Sequence, residues 1–215
     1  MVHNLSKDNS IINQFVSELR DVEIQKDRMR FRKNLIRIGE IFAYEISKKM
    51  NFSMKEVTTP LGIANVPVLS EQPIVGTILR AGLPMHEGIL NFFDQADNAF
   101  ISAYRKHHKD GTFDIKLEYI SSPSMKDRIL ILCDPMLATG SSIVMTCKAL
   151  MEKGAPRHTH IVSALASTQG IEHVRSQLSA NITIWAAAVD EELTAQAYIV
   201  PGLGDAGDLA YGGKL

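Results

Sequence analysis

A chain of 215 residues is long enough to bury the core of one full-sized domain. A hydrophobic content of 45% and a charged content of 22% are typical of a globular protein, and the formal charge of −1 provides no bulk attraction to nucleic acid or to an anionic membrane. No apolar run approaches the ~20 residues of a membrane span, and the first residues lack the apolar core of a signal peptide, so we expect a cytoplasmic protein.

The first third of the chain predicts helices followed by a small β excursion. Residues 1–27 are expected to form a helical extension. Apolar residues recur at helical spacing through residues 28–50, which predicts a helix with one buried face. Residues 56–70 predict a two-stranded excursion that turns at Pro60-Leu61-Gly62.

From residue 74 onward, aliphatic strands alternate with helices. The predicted strands are 74–79, 99–104, 128–133, 161–166 and 181–189, and the predicted helices are 85–93, 143–153 and 171–178. This alternation predicts an α/β fold, a mostly parallel sheet with helices on both faces, within a single domain spanning residues 1–215. Residues 106–124 are predicted to be irregular, and a long polar loop inside a compact domain is a candidate lid.

The stretch 129–142 combines a buried strand, one carboxylate and a turn rich in hydroxyls. The strand end would fix Asp134 so that its carboxylate accepts hydrogen bonds from vicinal sugar hydroxyls. Backbone N–H groups of the turn and the N-terminus of the helix that follows would bind a phosphate. Thr139, Ser141 and Ser142 add hydroxyl donors, and Gly140 permits close approach of the backbone. An ordinary βα turn with a capping hydroxyl is the alternative, whereas a Walker A loop lacks its Gly-Lys-Ser/Thr here.

Three polar residues follow three predicted strands. Arg80, Arg105 and Asp134 each lie at or just beyond the carboxyl end of a strand. Parallel sheets bind ligands in the crevice outside that edge, and a guanidinium makes bidentate contacts with phosphate oxygens. The sequence therefore predicts a phosphate-binding crevice that brings these residues together.

Near the C-terminus, residues 202–207 match the dinucleotide fingerprint G-x-G-x-x-G letter for letter. The residues that follow leave no room for the helix, the strand and the acid that a Rossmann unit needs. These glycines are better explained by a loop whose backbone wraps a small planar base, and a tight glycine-rich turn is the alternative.

Three blocks in collinear order resemble uracil phosphoribosyltransferases. Residues 77–85 (TILRAGLPM), 133–142 (CDPMLATGSS) and 198–208 (YIVPGLGDAGD) are similar to that family's arginine segment, phosphoribosyl diphosphate (PRPP) loop and uracil loop, and the similarity runs from about residue 28 to residue 212. The resemblance implies the type I phosphoribosyltransferase fold with a hood-like base-binding loop at residues 198–212. It further implies transfer of the phosphoribosyl group from PRPP to uracil, giving UMP and diphosphate, with Mg²⁺ held mainly by PRPP and water.

The same resemblance assigns residues to roles. The implied catalytic residues are Arg80, Arg105 and Asp205, and the implied uracil contacts are Ile199, Gly204, Asp205 and Ala206. The implied PRPP contacts are Arg80, Arg105, Asp134, Pro135, Met136, Leu137, Ala138, Thr139, Gly140, Ser141, Ser142 and Asp205. A homodimer or higher homo-oligomer is implied, GTP as an effector is left open, and neither a nucleic acid nor a membrane partner is expected.

The chain departs from the family pattern at three positions, and rival functions are open to it. Ser141 replaces a usual glycine, and Pro84 and His86 replace a usual glycine and an apolar residue. One rival is a regulatory protein on the same fold that senses PRPP or uracil. An RNA-binding regulator would need a basic face, against which the balance of 23 basic and 24 acidic residues argues. Another rival is a phosphoribosyltransferase for a purine, which the C-terminal loop and the single acid at Asp134 disfavour.

Overall fold

A computed structural model describes residues 1–107, 113–178 and 181–213, with the side chains of residues 104–107 and 113–116 outside the description. Within the described residues the α-helices are α1 Ile11–Arg20, α2 Arg28–Ser47, α3 Leu83–Leu90, α4 Ser141–Met151, α5 Thr168–Gln177 and α6 Ala206–Tyr211. The strands there are β1 Val2–Asn4, β2 Phe52–Thr59, β3 Gly62–Leu69, β4 Ile74–Leu79, β5 Asp97–His107, β6 Phe113–Ser121, β7 Ile129–Cys133, β8 Met136–Leu137, β9 His158–Ser167, β10 Ile182–Asp190, β11 Glu192–Leu193 and β12 Ile199–Val200.

The central sheet has the strand order β1-β10-β9-β7-β4-β5-β6, and the short β8 pairs with β9. All of these neighbours are parallel except β5 and β6, which are antiparallel. The carboxyl ends of β4, β5, β7, β9 and β10 therefore meet at one edge of the sheet. Strands β2 and β3 form a separate antiparallel hairpin, as the sequence predicted, although β2 begins earlier than residue 56.

Both faces of the sheet are covered by helices. Along β7, Ile129, Ile131 and Cys133 belong to one hydrophobic cluster, which also contains residues of α1, α2 and α3. Leu130 and Leu132 belong to the other, which contains residues of α4 and α5. Side chains of successive strand residues point to opposite faces, so a strand buried on both faces is a continuous aliphatic run. The predicted α/β architecture is confirmed.

Two predictions about secondary structure need correction. Residues 106–124 are not one irregular segment, since β5 continues to His107 and β6 follows from Phe113 to Ser121, antiparallel to it. The apolar residues at 113, 115, 117 and 119 alternate with polar ones, which is the period of a strand. Residues 108–112 of the candidate lid lie outside the described residues. Residues 1–27 contain α1 but also β1, which adds a parallel strand to the edge beside β10.

The two departures that follow Arg80 fit helix α3. Pro84 lies in its first turn, where a proline costs no helical hydrogen bond. His86 is buried and its ring packs at a tilt against Phe100, with the centroids 5.3 Å apart. Burial lowers the pKa of His86, so this imidazole is neutral at pH 7. In the described part of the chain no helix has the length and apolar character needed to cross a membrane.

Candidate active site

A cavity of about 620 Å³ lies at the carboxyl edge of the sheet. Arg80 follows β4 and Asp134 follows β7, and these two strands are parallel neighbours, so both residues reach the same cavity. The lining residues are Ile78, Leu79, Arg80, Ala81, Ala103, Asp134, Met136, Ala138, Ser142, Gln196, Ala197, Tyr198, Ile199, Gly204, Asp205, Ala206 and Gly207. Segments far apart in sequence thus share one cavity, as the strand-end argument predicted for Arg80 and Asp134.

The loop after β7 is tied to β9 by backbone hydrogen bonds. The Asp134 N–H donates to the Val162 carbonyl at 3.1 Å, and the Pro135 carbonyl accepts from the Leu165 N–H at 2.9 Å. The Asp134 carboxylate also accepts from the Met136 N–H at 3.2 Å. These bonds hold the carboxylate at the strand end, where it lines the cavity.

The middle of this loop rests on the N-terminus of α5. The Ser167 hydroxyl donates to the Ala138 carbonyl at 2.6 Å and accepts from the Gly170 N–H at 2.8 Å. A Cβ at Gly170 would collide with the same Ala138 carbonyl and come 2.9 Å from the Leu137 carbonyl. Helix α5 can therefore approach this closely only because residue 170 is glycine.

Helix α4 begins at the end of the loop. Gly140 precedes the helix with φ +76, a left-handed conformation that favours glycine. The Ser141 N–H lies 3.4 Å from the Thr139 hydroxyl, which donates to the Ser141 hydroxyl at 3.1 Å. The first turn of α4 leaves N–H groups without helical partners, so this turn can accept a phosphate. Ser141 fits here as part of a local hydroxyl pair.

Not all of the predicted PRPP residues of this loop line the cavity, and Thr139, Gly140 and Ser141 are among those that do not. Asp134, Met136, Ala138 and Ser142 line the cavity. Pro135 and Leu137 are buried, and Leu137 belongs to the core on the α4 and α5 side of the sheet. Alternation along the short strand β8 explains this division, because neighbouring side chains of a strand face opposite ways.

Arg80 connects the sheet edge to the C-terminal helix α6. Its guanidinium donates to the Asp208 carboxylate at 3.1 Å and to the Gly212 carbonyl at 3.2 Å. The Arg80 side chain is 38% exposed, so it remains accessible to a ligand in the cavity. The Leu79–Arg80 peptide bond is cis.

The C-terminal loop forms the opposite wall. Strands β11 and β12 form a small antiparallel hairpin, after which Gly202 and Gly204 have φ +58 and +97. Ile199 and Ala206 are buried at this wall. The Asp205 side chain caps α6 by accepting from the Asp208 N–H at 3.0 Å. All four predicted uracil contacts line the same cavity as Arg80 and Asp134.

The remaining candidate groups are Arg105, the two cysteines and possible metal ligands. Arg105 lies in β5, beside β4, but its side chain lies outside the described residues. Cys133 and Cys147 are buried free thiols, and burial raises the pKa of Cys147 to about 12. Burial also raises the pKa of Cys133 well above its usual range, so neither thiol is a nucleophile. Among the described residues, no group of three or more His, Cys, Asp or Glu side chains is placed to hold a metal ion.

Sequence reasoning did not identify the hairpin residues Gln196 and Ala197, which also line the cavity. Ala197 has φ +62, and its N–H donates to the Thr194 carbonyl at 2.8 Å. The pairing of Asp208 with Arg80 was likewise not predicted. Both features depend on the C-terminal segment closing over the sheet, and no spacing rule in the sequence encodes that closure.

Known proteins are similar to this chain over nearly its whole length. The model of the uracil phosphoribosyltransferase family matches residues 6–213. A uracil phosphoribosyltransferase of Porphyromonas gingivalis is 55% identical over 214 residues, covering 100% of this chain and 99% of the relative. One from Thermococcus gammatolerans is 36% identical, covering 97% of this chain and 92% of the relative.

Solved structures give the same result for the fold. A protein structure from Aquifex aeolicus superposes with a TM-score of 0.87 at 30% identity, covering 99% of this chain and 98% of that one. A hypoxanthine phosphoribosyltransferase from Staphylococcus aureus shares the fold at 10% identity, with a TM-score of 0.51 over 75% of this chain and 76% of that one. The full-length match to the family model and the close relatives together show that this chain belongs to the uracil phosphoribosyltransferase family.

Proposed function

We propose that this chain transfers the 5-phosphoribosyl group from PRPP to uracil, giving UMP and diphosphate. One observation carries the proposal. The loop after β7, with its carboxylate and helix N-terminus, shares a single cavity of about 620 Å³ with the glycine-rich C-terminal loop. A sugar-phosphate site and a site for a small planar base therefore face each other, as a group transfer between them requires.

The proposed positions of PRPP follow from the charges along the cavity. The 5′-phosphate is proposed to bind at residues 139–142, beside the N-terminus of α4, where Ser142 lines the cavity and the Thr139 and Ser141 hydroxyls form a pair. The ribose hydroxyls donate to Asp134. The diphosphate lies toward Arg80, and Arg105 is the second proposed cation. Arg80 then exchanges part of its contact with Asp208 and Gly212 for phosphate oxygens.

Uracil is proposed to bind against the backbone of Ile199, Gly204 and Ala206. Its two carbonyls accept, and its N3–H donates, so backbone N–H and C=O groups can match the pattern. Cytosine reverses that pattern on one side and would leave buried groups unpaired, which costs about 1–3 kcal/mol per group. Gly204 is exposed with no atom within 4 Å of an added Cβ, so its role here is to give the loop its left-handed turn.

The chemistry needs no covalent nucleophile. The bond from the ribosyl C1′ to a diphosphate oxygen breaks as N1 of uracil bonds to C1′, and the N1 proton is lost. Positive charge that develops on the ribosyl ring is stabilised by nearby oxygens, and Arg80 and Arg105 stabilise the charge of the departing diphosphate. Positioning and electrostatics therefore supply the catalysis.

Mg²⁺ is the proposed cofactor. Only two carboxylates, Asp134 and Asp205, are among the described residues that line the cavity. Magnesium is usually held by one or two carboxylates together with substrate phosphates and water, so this donor set fits it. When bound, the ion would offset the negative charge of the diphosphate.

The test is release of diphosphate from PRPP and Mg²⁺ with uracil, cytosine, hypoxanthine or xanthine in parallel, each with and without GTP. The expected result is release of diphosphate with uracil and with none of the other three bases, with UMP as the product. Release with a purine would overturn the assignment of the base loop. Silence with every base would favour a protein that senses PRPP or uracil, and equilibrium binding of both ligands would then identify it.

The homo-oligomer, the GTP effector and the cytoplasmic location stay predictions of the sequence. Sedimentation of the purified protein would determine the oligomeric state. The GTP arm of the assay would show whether GTP changes the rate of transfer.

A further inference from the structure

The last turn of helix α1 reaches the base side of the cavity through a single side chain. Arg20 ends α1, and its guanidinium makes two hydrogen bonds to Asp190, with Nη1 to Oδ2 at 2.8 Å and Nη2 to Oδ1 at 2.7 Å. Asp190 is the last residue of β10, on the same sheet edge as Asp134. The two residues are far apart in sequence and belong to none of the motifs that identify the family.

Both members of this pair also hold Gly202 by its backbone. Arg20 Nη1 donates to the Gly202 carbonyl at 3.0 Å, and the Gly202 N–H donates to Asp190 Oδ2 at 3.0 Å. The three residues thus form a closed ring of hydrogen bonds, which we call the Arg20 brace. Every backbone polar group of Gly202 is satisfied by this brace.

The brace is well shielded from water. The Asp190 side chain is 7% exposed and the Arg20 side chain 23% exposed. A charge pair that is largely buried holds its geometry firmly, and removing one partner leaves the other charge uncompensated. A planar guanidinium is also the one side chain that can satisfy both carboxylate oxygens and a neighbouring carbonyl together.

Gly202 lies within the wall that is proposed to receive uracil. It stands between Ile199 and Gly204, both of which line the cavity. Its φ is +58, and a Cβ there would collide with the Ile199 carbonyl, so the chain turns sharply at this glycine. Fixing Gly202 in place therefore fixes the direction in which residues 203–206 leave the turn.

A second contact from the same part of the chain reaches this loop. In the orientation that its neighbours require, the Gln25 amide donates to the Leu203 carbonyl at 2.9 Å and to the Leu19 carbonyl at 2.9 Å. Leu19 and Leu203 are both buried in the same hydrophobic cluster. The segment from α1 to residue 25 thus contacts two successive residues of the base loop.

The PRPP side of the cavity has a different support. Its loop is held by β9 and by Ser167 at the start of α5. The two supports lie side by side, since Asp190 of β10 is paired with Ser167 of β9, and the Thr168 hydroxyl comes within 3.5 Å of the Asp190 carbonyl. Their side-chain hydrogen bonds nevertheless have no partner in common. Loosening the Arg20 brace should therefore act mainly on the base.

We propose that Arg20, through Asp190 and Gly202, is a positioning residue that sets the affinity of the site for its base. This inference rests on the proposed function, because it takes residues 199–206 as the base site. Arg20 touches no substrate in this arrangement, so it acts through the loop and not on the reacting atoms.

The test compares Arg20→Gln, Arg20→Lys and Asp190→Asn by steady-state kinetics with each substrate varied in turn. We expect Arg20→Gln to raise the KM for uracil about tenfold or more while the KM for PRPP stays within about twofold, since small displacements of a binding group are costly. Lysine keeps the charge but loses the fork, so Arg20→Lys should restore part of the loss. If Asp190→Asn fails to fold, the two variants Arg20→Gln and Arg20→Lys are sufficient for the test.

Arg128→Gln is the matched control. Arg128 also pairs with an aspartate, Asp97, at 3.0 Å, but it lies at the opposite edge of the sheet. The Arg128→Gln variant should have the same KM values for uracil and PRPP as the wild type. Equal increases in both KM values for Arg20→Gln, or no increase in either, would overturn the proposal.

Amide hydrogen exchange provides a readout that does not depend on activity. Exchange in residues 199–206 should become faster in Arg20→Gln than in Arg128→Gln, while exchange in residues 134–142 stays the same. An unchanged rate in residues 199–206 would refute the brace even if the wild-type protein failed to use uracil. If the proposed function is wrong but the brace is real, the wild-type protein will be inactive with uracil, and exchange in residues 199–206 will still be faster in Arg20→Gln.

Discussion

Replacing Gly140 by alanine tests whether the shape of the loop before α4 determines the binding of PRPP. Gly140 has φ +76, and an alanine in that left-handed region costs about 1–2 kcal/mol. The added Cβ would lie 2.8 Å from the Gly170 carbonyl oxygen and 2.9 Å from Cγ2 of Val174. Overpacking of that kind typically costs about 1–3 kcal/mol.

The two costs together come to about 2–5 kcal/mol. The loop can relieve the contact with Gly170 only by moving its backbone, and that backbone carries the proposed phosphate donors. If about 3 kcal/mol of this cost falls on binding, the affinity for PRPP drops by about 100-fold, since each 1.4 kcal/mol is a factor of ten. We therefore expect kcat/KM for PRPP to fall about 10- to 100-fold in Gly140→Ala.

Gly154→Ala is the matched control for this prediction. Gly154 also has a positive φ, +117, and a Cβ there would lie 2.8 Å from the backbone nitrogen of Lys126. It follows helix α4 at the end away from the loop, so the variant should lose stability without losing affinity for PRPP. Denaturant unfolding and initial rates at varied PRPP concentration measure the two effects. The reasoning would be refuted if Gly140→Ala lost only stability and matched Gly154→Ala in its KM for PRPP.

Three further predictions concern charge. Asp134→Asn keeps the shape of the side chain but removes the charge that is proposed to accept hydrogen bonds from the ribose hydroxyls. The KM for PRPP should therefore rise about 10- to 100-fold, which is the equivalent of about 1.5–3 kcal/mol for a charged hydrogen bond. An unchanged KM would show that Asp134 does not bind PRPP. Arg105→Ala should cost about 2–4 kcal/mol of transition-state stabilisation in kcat/KM, and a rate within about threefold of the wild type would exclude that role. Stability should fall in two steps on acidification, since burial lowers the pKa of His160 from 6.5 to about 3 and the hydrogen bond from Arg30 lowers that of Glu18 from 4.5 to about 2. Between the folded and unfolded pKa values of each group, the unfolded chain binds a proton that the folded chain does not. Urea unfolding should therefore show the free energy of unfolding decreasing below about pH 6.5 and again below about pH 4.5. The second decrease should be smaller in Glu18→Gln.

The strands at the centre of the sheet were predictable because they are buried on both faces. Residues 129–133 form an unbroken apolar run. A run of that length fits a strand buried on both faces and is too short for a helix. The placement of Arg80 and Asp134 followed, since both come directly after such strands. The local chemistry of a strand end and the geometry of a parallel sheet were sufficient.

Strand β6, and the part of β5 beyond residue 104, were missed for the opposite reason. The residues of β6 alternate between apolar and polar types, and the charged and histidine residues at 105–109 obscured the continuation of β5. Pairing at a sheet edge satisfies the backbone without requiring a continuous aliphatic run. Hydrophobicity alone therefore underestimates such a strand.

The long-range contacts of the site were beyond sequence reasoning as well. Arg80 pairs with Asp208, and Arg20 with Asp190, across most of the chain. Helical or strand periodicity constrains only near neighbours, so nothing in the spacing of these residues selects a partner. Their pairing depends on how the chain ends fold back over the sheet.

The site thus has two halves with separate supports. The PRPP loop rests on Ser167 and α5, and the base loop rests on the Arg20 brace. The side-chain hydrogen bonds of the two supports share no partner, although Ser167 and Asp190 lie opposite each other on β9 and β10, so a substitution in one support should act mainly on the loop that it holds. Arg80 is the exception, since it lies at the PRPP edge yet contacts α6, which is capped by Asp205 of the base loop. A substitution in either support, such as Ser167 or Arg20, should therefore change mainly the affinity for one substrate, whereas a substitution that breaks the contact between Arg80 and Asp208 should change the affinity for both.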